Sequence, residues 1–170
     1  MARAPGGRTS AFGGFLMSAE DRIRELGIAL PNAQEPLTAH ASVVISHGLA
    51  FLAGHGPMDV DRQPLITGPV GSEVTEEDGK VAARLSTMNA MASLRRALVS
   101  LDHVEQVVRL TGFVLSAPGF QRQPWVIDGA SELLIQIFGN EIGRHARTSV
   151  GVASSALSMS VTIELVVAVR

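Results

Sequence analysis

Between Val81 and Leu101 apolar residues recur at near-helical spacing: Val81, Leu85, Met88, Met91, Leu94, Leu98 and Leu101, with Arg84, Arg95 and Arg96 off that stripe. A period of about 3.6 residues predicts a long helix that turns the stripe to the core. Thr75, three residues before Asp78, is a capping-box start for it. This is the clearest element in the chain. A period of two takes over at the C-terminus, where Val161, Ile163, Leu165, Val167 and Val169 face one side of a strand over Ser160 to Arg170. A further strand is predicted over Thr148 to Ala153. Another covers Gln106 to Leu115, with Pro118 and Gly119 breaking the chain after it. A second long helix runs from about Trp125 to Phe138, and Gly139 closes it.

The first third of the chain is punctuated more heavily. Ser18 followed by Asp21 opens a short helix, Ala19 to Leu26, which Gly27 can end. Pro31 and Pro36 bracket an extended connection. Two β-branched or apolar runs, Ala41 to Ser46 and Leu49 to Ala53, flank His47-Gly48 and read as a hairpin. Gly54 to Gly71 holds Pro57, Pro64 and Pro69 and is predicted to be loop. The order is β-β-α-β-α-β-β behind a short helix. It makes an α+β fold with two helices collected on one face of a mixed sheet.

Residues 18–170 read as one domain, and 170 residues suffice for a single core. Residues 1–17 read as a flexible N-terminal extension. Met1 to Phe15 carries Arg3, Arg8, four glycines and no acid, and Phe12 to Met17 is too short for a signal-peptide core. Hydrophobic residues make up 46%, yet no apolar run is long enough to cross a bilayer. A net charge of −2, six Phe, one Trp and no Tyr argue against a nucleic-acid partner. The absence of cysteine removes disulfides, thiolate metal sites and a Cys nucleophile, and it fits a reducing cytoplasm. So high an apolar fraction in so small a domain implies surface covered by other subunits.

Three side chains are candidates for chemistry. Arg147 opens a strand beside the hydroxyls of Thr148 and Ser149, a setting suited to bidentate carboxylate recognition; an exposed ion pair is the competing reading. Glu164 interrupts a strand of Val, Ile, Leu, Thr and Ala. It either faces solvent beside Thr162 or lies partly buried near an arginine, where it can orient or deprotonate a water. His55 stands between Gly54 and Gly56, where backbone approaches a ligand closely; a solvated loop histidine is the alternative. His40, His47, His103 and His145 have no metal-ligand spacing, and no metal is expected. A phosphate loop, a nucleophile elbow and a Rossmann fingerprint are all missing. Trp125, Ile127 and Phe138 read as core.

Taken together these residues resemble the RidA/YjgF family of reactive-intermediate deaminases, also called L-PSP endoribonuclease-like proteins. Ala146-Arg147-Thr148-Ser149-Val150-Gly151-Val152-Ala153 followed by Val161-Thr162-Ile163-Glu164 looks like the family's signature end. Leu52-Ala53-Gly54-His55-Gly56-Pro57 is similar to its Ser-Gly-Gln-x-Pro loop. Asp128-Gly129-Ala130-Ser131-Glu132 points to a less characterised branch. The resemblance implies a chorismate-mutase-like fold in a homotrimer with clefts between subunits. It implies that Arg147 binds the carboxylate of an imino acid such as 2-aminoacrylate and that Glu164 positions the hydrolytic water. The backbone around Gly54 and Ser149 would line the cleft. Products would be a 2-keto acid and ammonia, with no cofactor. Leu37 stands where the deaminases carry Tyr, Ala53 replaces Ser and His55 replaces Gln. The interval from Arg147 to Glu164 is two residues longer, which places a longer turn at Ser154 to Ser158. Either His55 supplies acid–base chemistry, or the trimer binds an imino or keto acid without turnover. A ribonuclease or translation inhibitor is the third reading and fits the charge least.

Overall fold

The computed structural model describes residues 17–36 and 38–170. Leu37 and, apart from Met17, the expected N-terminal extension lie outside the described residues. Helix α1 (Ala19–Glu25) precedes strands β1 (Val43–Ser46) and β2 (Leu49–His55). Helix α2 (Glu76–Leu98), strand β3 (Val104–Leu115), helix α3 (Gln123–Gly143) and strands β4 (Ala146–Val152) and β5 (Val161–Val169) follow. The sheet order is β1-β2-β5-β3-β4, with β3 and β4 parallel and the other neighbours antiparallel. This is the expected α+β arrangement.

Local chemistry sets the element starts. The Ser18 hydroxyl accepts from the Asp21 amide at 3.2 Å, and the Thr75 hydroxyl accepts from the Asp78 amide at 3.1 Å. Each satisfies one of the unpaired donors of a first helical turn. His47 and Gly48 both take positive φ, 52° and 74°, as a two-residue turn matched to strand twist requires. Pro124 enters α3 in its first turn, where its missing N–H has no partner to lose. Gly139, at φ 77°, breaks the helical path as expected, but a further turn carries the element to Gly143.

Along β5 the alternation holds: Val161, Ile163, Leu165, Val167 and Val169 are buried against the helices. Thr162, Glu164, Val166 and Ala168 face the other way. Among the described residues no helix covers that opposite side, and Val44, Phe51 and Val150 are exposed on it.

The α2 stripe needs correction. Val81 is 46% exposed, whereas Gly79, Ala82, Ala83, Ser86, Ala90, Met91 and Leu94 are buried. The reason is that α2 packs one side on β2 and β5 and another on α3. Two buried sides at close range select small residues. A Cβ built on Gly129 of α3 would lie 2.1 Å from the Lys80 carbonyl oxygen of α2, so the two backbones nearly touch. The large side chains Met91 and Leu94 mark one buried side, and the small residues mark the side packed on α3.

Candidate functional site

Strand β2 carries an irregularity that shapes one region. Leu52 pairs with Leu165 and His55 with Ile163, so Ala53 and Gly54 together stand across from Glu164. Such a bulge bends the strand and re-aims its side chains. Gly54 has little room for anything larger, since a Cβ there would lie 3.1 Å from Cγ2 of Thr162. Beyond the bulge the His55 ring turns under α2. Its Nδ1 lies 2.7 Å from the Ala53 carbonyl and its Nε2 lies 2.9 Å from the Ser93 hydroxyl. A carbonyl only accepts, so Nδ1 carries the proton and Nε2 accepts from Ser93. Burial holds the imidazole below its ordinary pKa; the bond to Ala53 works against this and nearby His40 adds to it. His55 is a neutral base at pH 7.

Asn89, one turn earlier on α2, donates to the carbonyls of Gly56 and Met58 at 2.9 and 3.0 Å and ties the loop down. Between this loop, the 34–42 connection and the 156–159 turn lies a cavity of about 420 Å³. Pro36, Met58, Leu157 and Met159 give it a largely apolar wall, and His40, Ser42, Gly54, His55 and Ser93 supply polar or backbone groups.

Arg147 lies elsewhere. It pairs with Leu110, which pairs in turn with Leu165, so its side chain rises on the helix side of the sheet. There Nη1 donates to Asp128 Oδ1 at 2.7 Å and to the Ser131 hydroxyl at 3.0 Å. Nε2 of His145 lies 3.1 Å from that same hydroxyl, and Nδ1 of His145 lies 2.7 Å from the Gly143 carbonyl. Ser131 thus accepts from Arg147 and donates to His145. Burial lowers the His145 pKa, the Gly143 bond opposes this, and the Arg147 charge lowers it further. The Arg147 side chain is 25% exposed. Ser149, two residues on, has a buried hydroxyl with no hydrogen-bond partner among the described residues.

The sequence candidates therefore fall into two groups within one subunit. Gly54 and His55 meet at the cavity, with Glu164 across the bulge on the open, exposed face of the sheet. Arg147 and Ser149 sit on β4, an edge strand separated from β2 by β5 and β3. Three strand spacings amount to roughly 14 Å. Ser93, Asn89, Thr162, Asp128, Ser131 and His145 complete the two regions without having been singled out for chemistry. Asp128 and Ser131 carried a usable signal, because i and i+3 on a helix face the same way. Ser93 carried none, since the apolar stripe does not reveal the additional small residues that α2 buries. Among the described residues no group of three or more His, Asp or Glu is placed to hold a metal ion, and no helix is long and apolar enough to cross a membrane.

Residues 19–166 match the family model described as "YjgF/chorismate mutase-like, putative endoribonuclease". Protein TCP17 of Trypanosoma cruzi is 38% identical over 145 residues, which span 85% of this chain and 90% of TCP17. Among solved structures, Atu1372 of Agrobacterium tumefaciens, a protein of unknown function, is 36% identical. Its TM-score is 0.81 over 90% of this chain and 94% of its own. A protein of Shewanella oneidensis MR-1 carrying the same endoribonuclease description is 29% identical. Its TM-score is 0.85 over 90% of this chain and all of its own.

Proposed function

Because the chain belongs to the YjgF/chorismate mutase-like family, we propose that it is a cofactor-independent deaminase of small 2-imino acids. Its cleft is completed between subunits of a homotrimer in the cytoplasm. The observation that carries this reading is the division of the site. Glu164 on β5 faces the Ala53–Gly54 bulge, while Arg147 stands on the edge strand β4, two positions from β5. A second copy presenting its β4 edge to the open face would unite them. The exposed Val44, Phe51 and Val150 on that face support its being covered by other subunits.

In this arrangement Arg147 of one subunit exchanges its bond to Asp128 for the substrate carboxylate, a bidentate pairing that fixes orientation. Ser149, with its unused hydroxyl, lines the same cleft. Glu164 of the neighbour accepts a proton from a water that attacks the imine carbon. Gly54, lacking a side chain, lets the substrate lie against the strand. Collapse of the tetrahedral adduct expels ammonia, so the imine and one water give the 2-keto acid and one ammonia. His55 stays neutral behind the bulge and provides a base on the cavity side.

Freshly generated 2-aminoacrylate tests the reading. Keto-acid release should accelerate with the protein and fall in Glu164→Gln and Arg147→Ala, and light scattering should give three protomers per particle. An unchanged release rate with and without protein rejects it. One observation favours a second reading, a trimer that binds small carboxylates without turnover: both His55 nitrogens and the Arg147 Nη1 are already engaged. Thermal stabilisation by keto acids that vanishes in Arg147→Ala, without hydrolysis of any imine, would select it.

A further inference from the structure

Ser93 behaves unlike the other buried hydroxyls of α2. Ser86 and Thr87 donate to the carbonyls of Ala82 and Ala83, each at 2.8 Å, the common fate of a hydroxyl inside a helix. Ser93 is also buried, at 4% exposure, but its hydroxyl bonds the Nε2 of His55 at 2.9 Å. His55 is oriented from behind by the Ala53 carbonyl at 2.7 Å. Hydroxyl, imidazole and acceptor thus stand in the order of nucleophile, base and orienting group. The bulge after Leu52 is what brings the ring under α2, and the hydroxyl lines the 420 Å³ cavity. We propose that Ser93 is a nucleophile activated by His55, and that the cavity accepts small esters with short apolar acyl chains.

The apolar wall of Pro36, Met58, Leu157 and Met159 sets that substrate class. Ser93 Oγ bonds to the acyl carbon as its proton passes to His55 Nε2. The ester C–O bond then breaks, and the alcohol leaves with that proton. Water, deprotonated by the same nitrogen, releases the carboxylic acid and restores the hydroxyl. His40 faces His55 across the cavity, and its Nδ1 is bonded to the Thr38 hydroxyl at 2.8 Å. With Thr38 as donor, the His40 Nε2 carries a proton available to the oxygen of an attacked carbonyl. Glu35, the charged residue lining this cavity, is neutralised by Arg96 at 2.6 Å. Burial keeps His55 unprotonated and so able to act as base at neutral pH. The centre uses neither Arg147 nor Glu164.

Composition makes the test unusually clean. The chain has no Cys and no Tyr, and Lys80 is its single lysine, paired with Glu132 at 2.8 Å. The full-length protein treated with p-nitrophenyl acetate should release a burst of p-nitrophenolate and gain one acetyl group, mapped by peptide mass spectrometry to Ser93. Ser93→Ala should abolish that adduct, and His55→Gln should slow its formation roughly 100-fold. A Ser93→Cys variant carries the sole thiol of the chain. Its alkylation by iodoacetamide at pH 7 should be at least about tenfold faster than in the same variant carrying His55→Gln. Folded wild-type protein that gains no acetyl group at Ser93, or gains one only at Lys80 or the chain terminus, overturns the proposal. Equal alkylation of the Ser93→Cys variant with and without His55 overturns it as well.

Discussion

His55 and His145 each donate from Nδ1 to the carbonyl two residues back, at 2.7 Å, and each receives at Nε2 a serine hydroxyl from the helix above, Ser93 for one and Ser131 for the other. Their surroundings differ. His55 lies deep beside an apolar cavity, and among the described residues no cation bonds Ser93. At His145 the serine is shared with Arg147, which Asp128 also holds, so a guanidinium rather than an imidazole is the group presented outward. The same hydrogen-bond pattern thus arms a neutral base in one place and steadies a cation in the other. What decides between them is the charge and burial around the pattern, not the pattern itself.

Gly129→Ala should disturb both regions, because its Cβ would force α3, which carries Ser131, away from α2, which carries Ser93. A loss of about 3 kcal/mol in urea denaturation is expected. If stability is unchanged, the two helices are not as tightly coupled as their geometry implies. Arg147→Ala comes next and acts on the charged region alone. Removing one charge-assisted contact of about 2 kcal/mol should lower kcat/KM for imine hydrolysis roughly 30-fold. Comparing the serines directly sharpens the contrast. Ser93→Ala strands a deeply buried imidazole nitrogen and should cost about 2 kcal/mol, against about 1 kcal/mol for Ser131→Ala at the more open site.

Acid separates the histidines in the same sense. Both have folded-state pKa values below the ordinary 6.5. The unfolded chain therefore binds more protons just below pH 6.5, and stability present above that pH is lost as pH falls through the folded values. His55→Gln should remove more of the decline in urea midpoint between pH 7.5 and 5 than His145→Gln, because His55 is the more deeply buried. Asp128→Asn has the smallest expected effect on stability. The ion pair is partly exposed and worth less than about 1 kcal/mol, and its loss should leave Arg147 freer for an added carboxylate. Isothermal titration with a small keto acid would register this as tighter binding.

Much of the fold was legible in the residues. Ser18 with Asp21 and Thr75 with Asp78 mark helix starts because an N-cap bond is made within four residues. The alternation of Val161 to Val169 marks a one-sided strand because successive side chains point to opposite faces. The second buried side of α2 was not legible. An apolar stripe identifies the buried side only when one side is buried, and α2 buries two, with Gly79, Ala82 and Ala83 chosen for closeness rather than hydrophobicity. The relation of Arg147 to Glu164 was also hidden. They lie on different strands, and the turn between them reverses the chain through Leu157 at φ 52°, where strand phase cannot be carried across.

The sequence by itself determined the elements, their order, the family resemblance and the identity of Arg147, Glu164, Gly54 and His55 as groups with chemical potential, since each follows from local periodicity or from the type of side chain. Only the tertiary structure decided which of them meet. A bulge in β2 turned His55 under α2 onto Ser93, and the sheet order left Arg147 on the edge beyond β3. Such meetings depend on register and packing between distant segments, where a shift of one residue moves a side chain to the other face, and no short-range pattern encodes that.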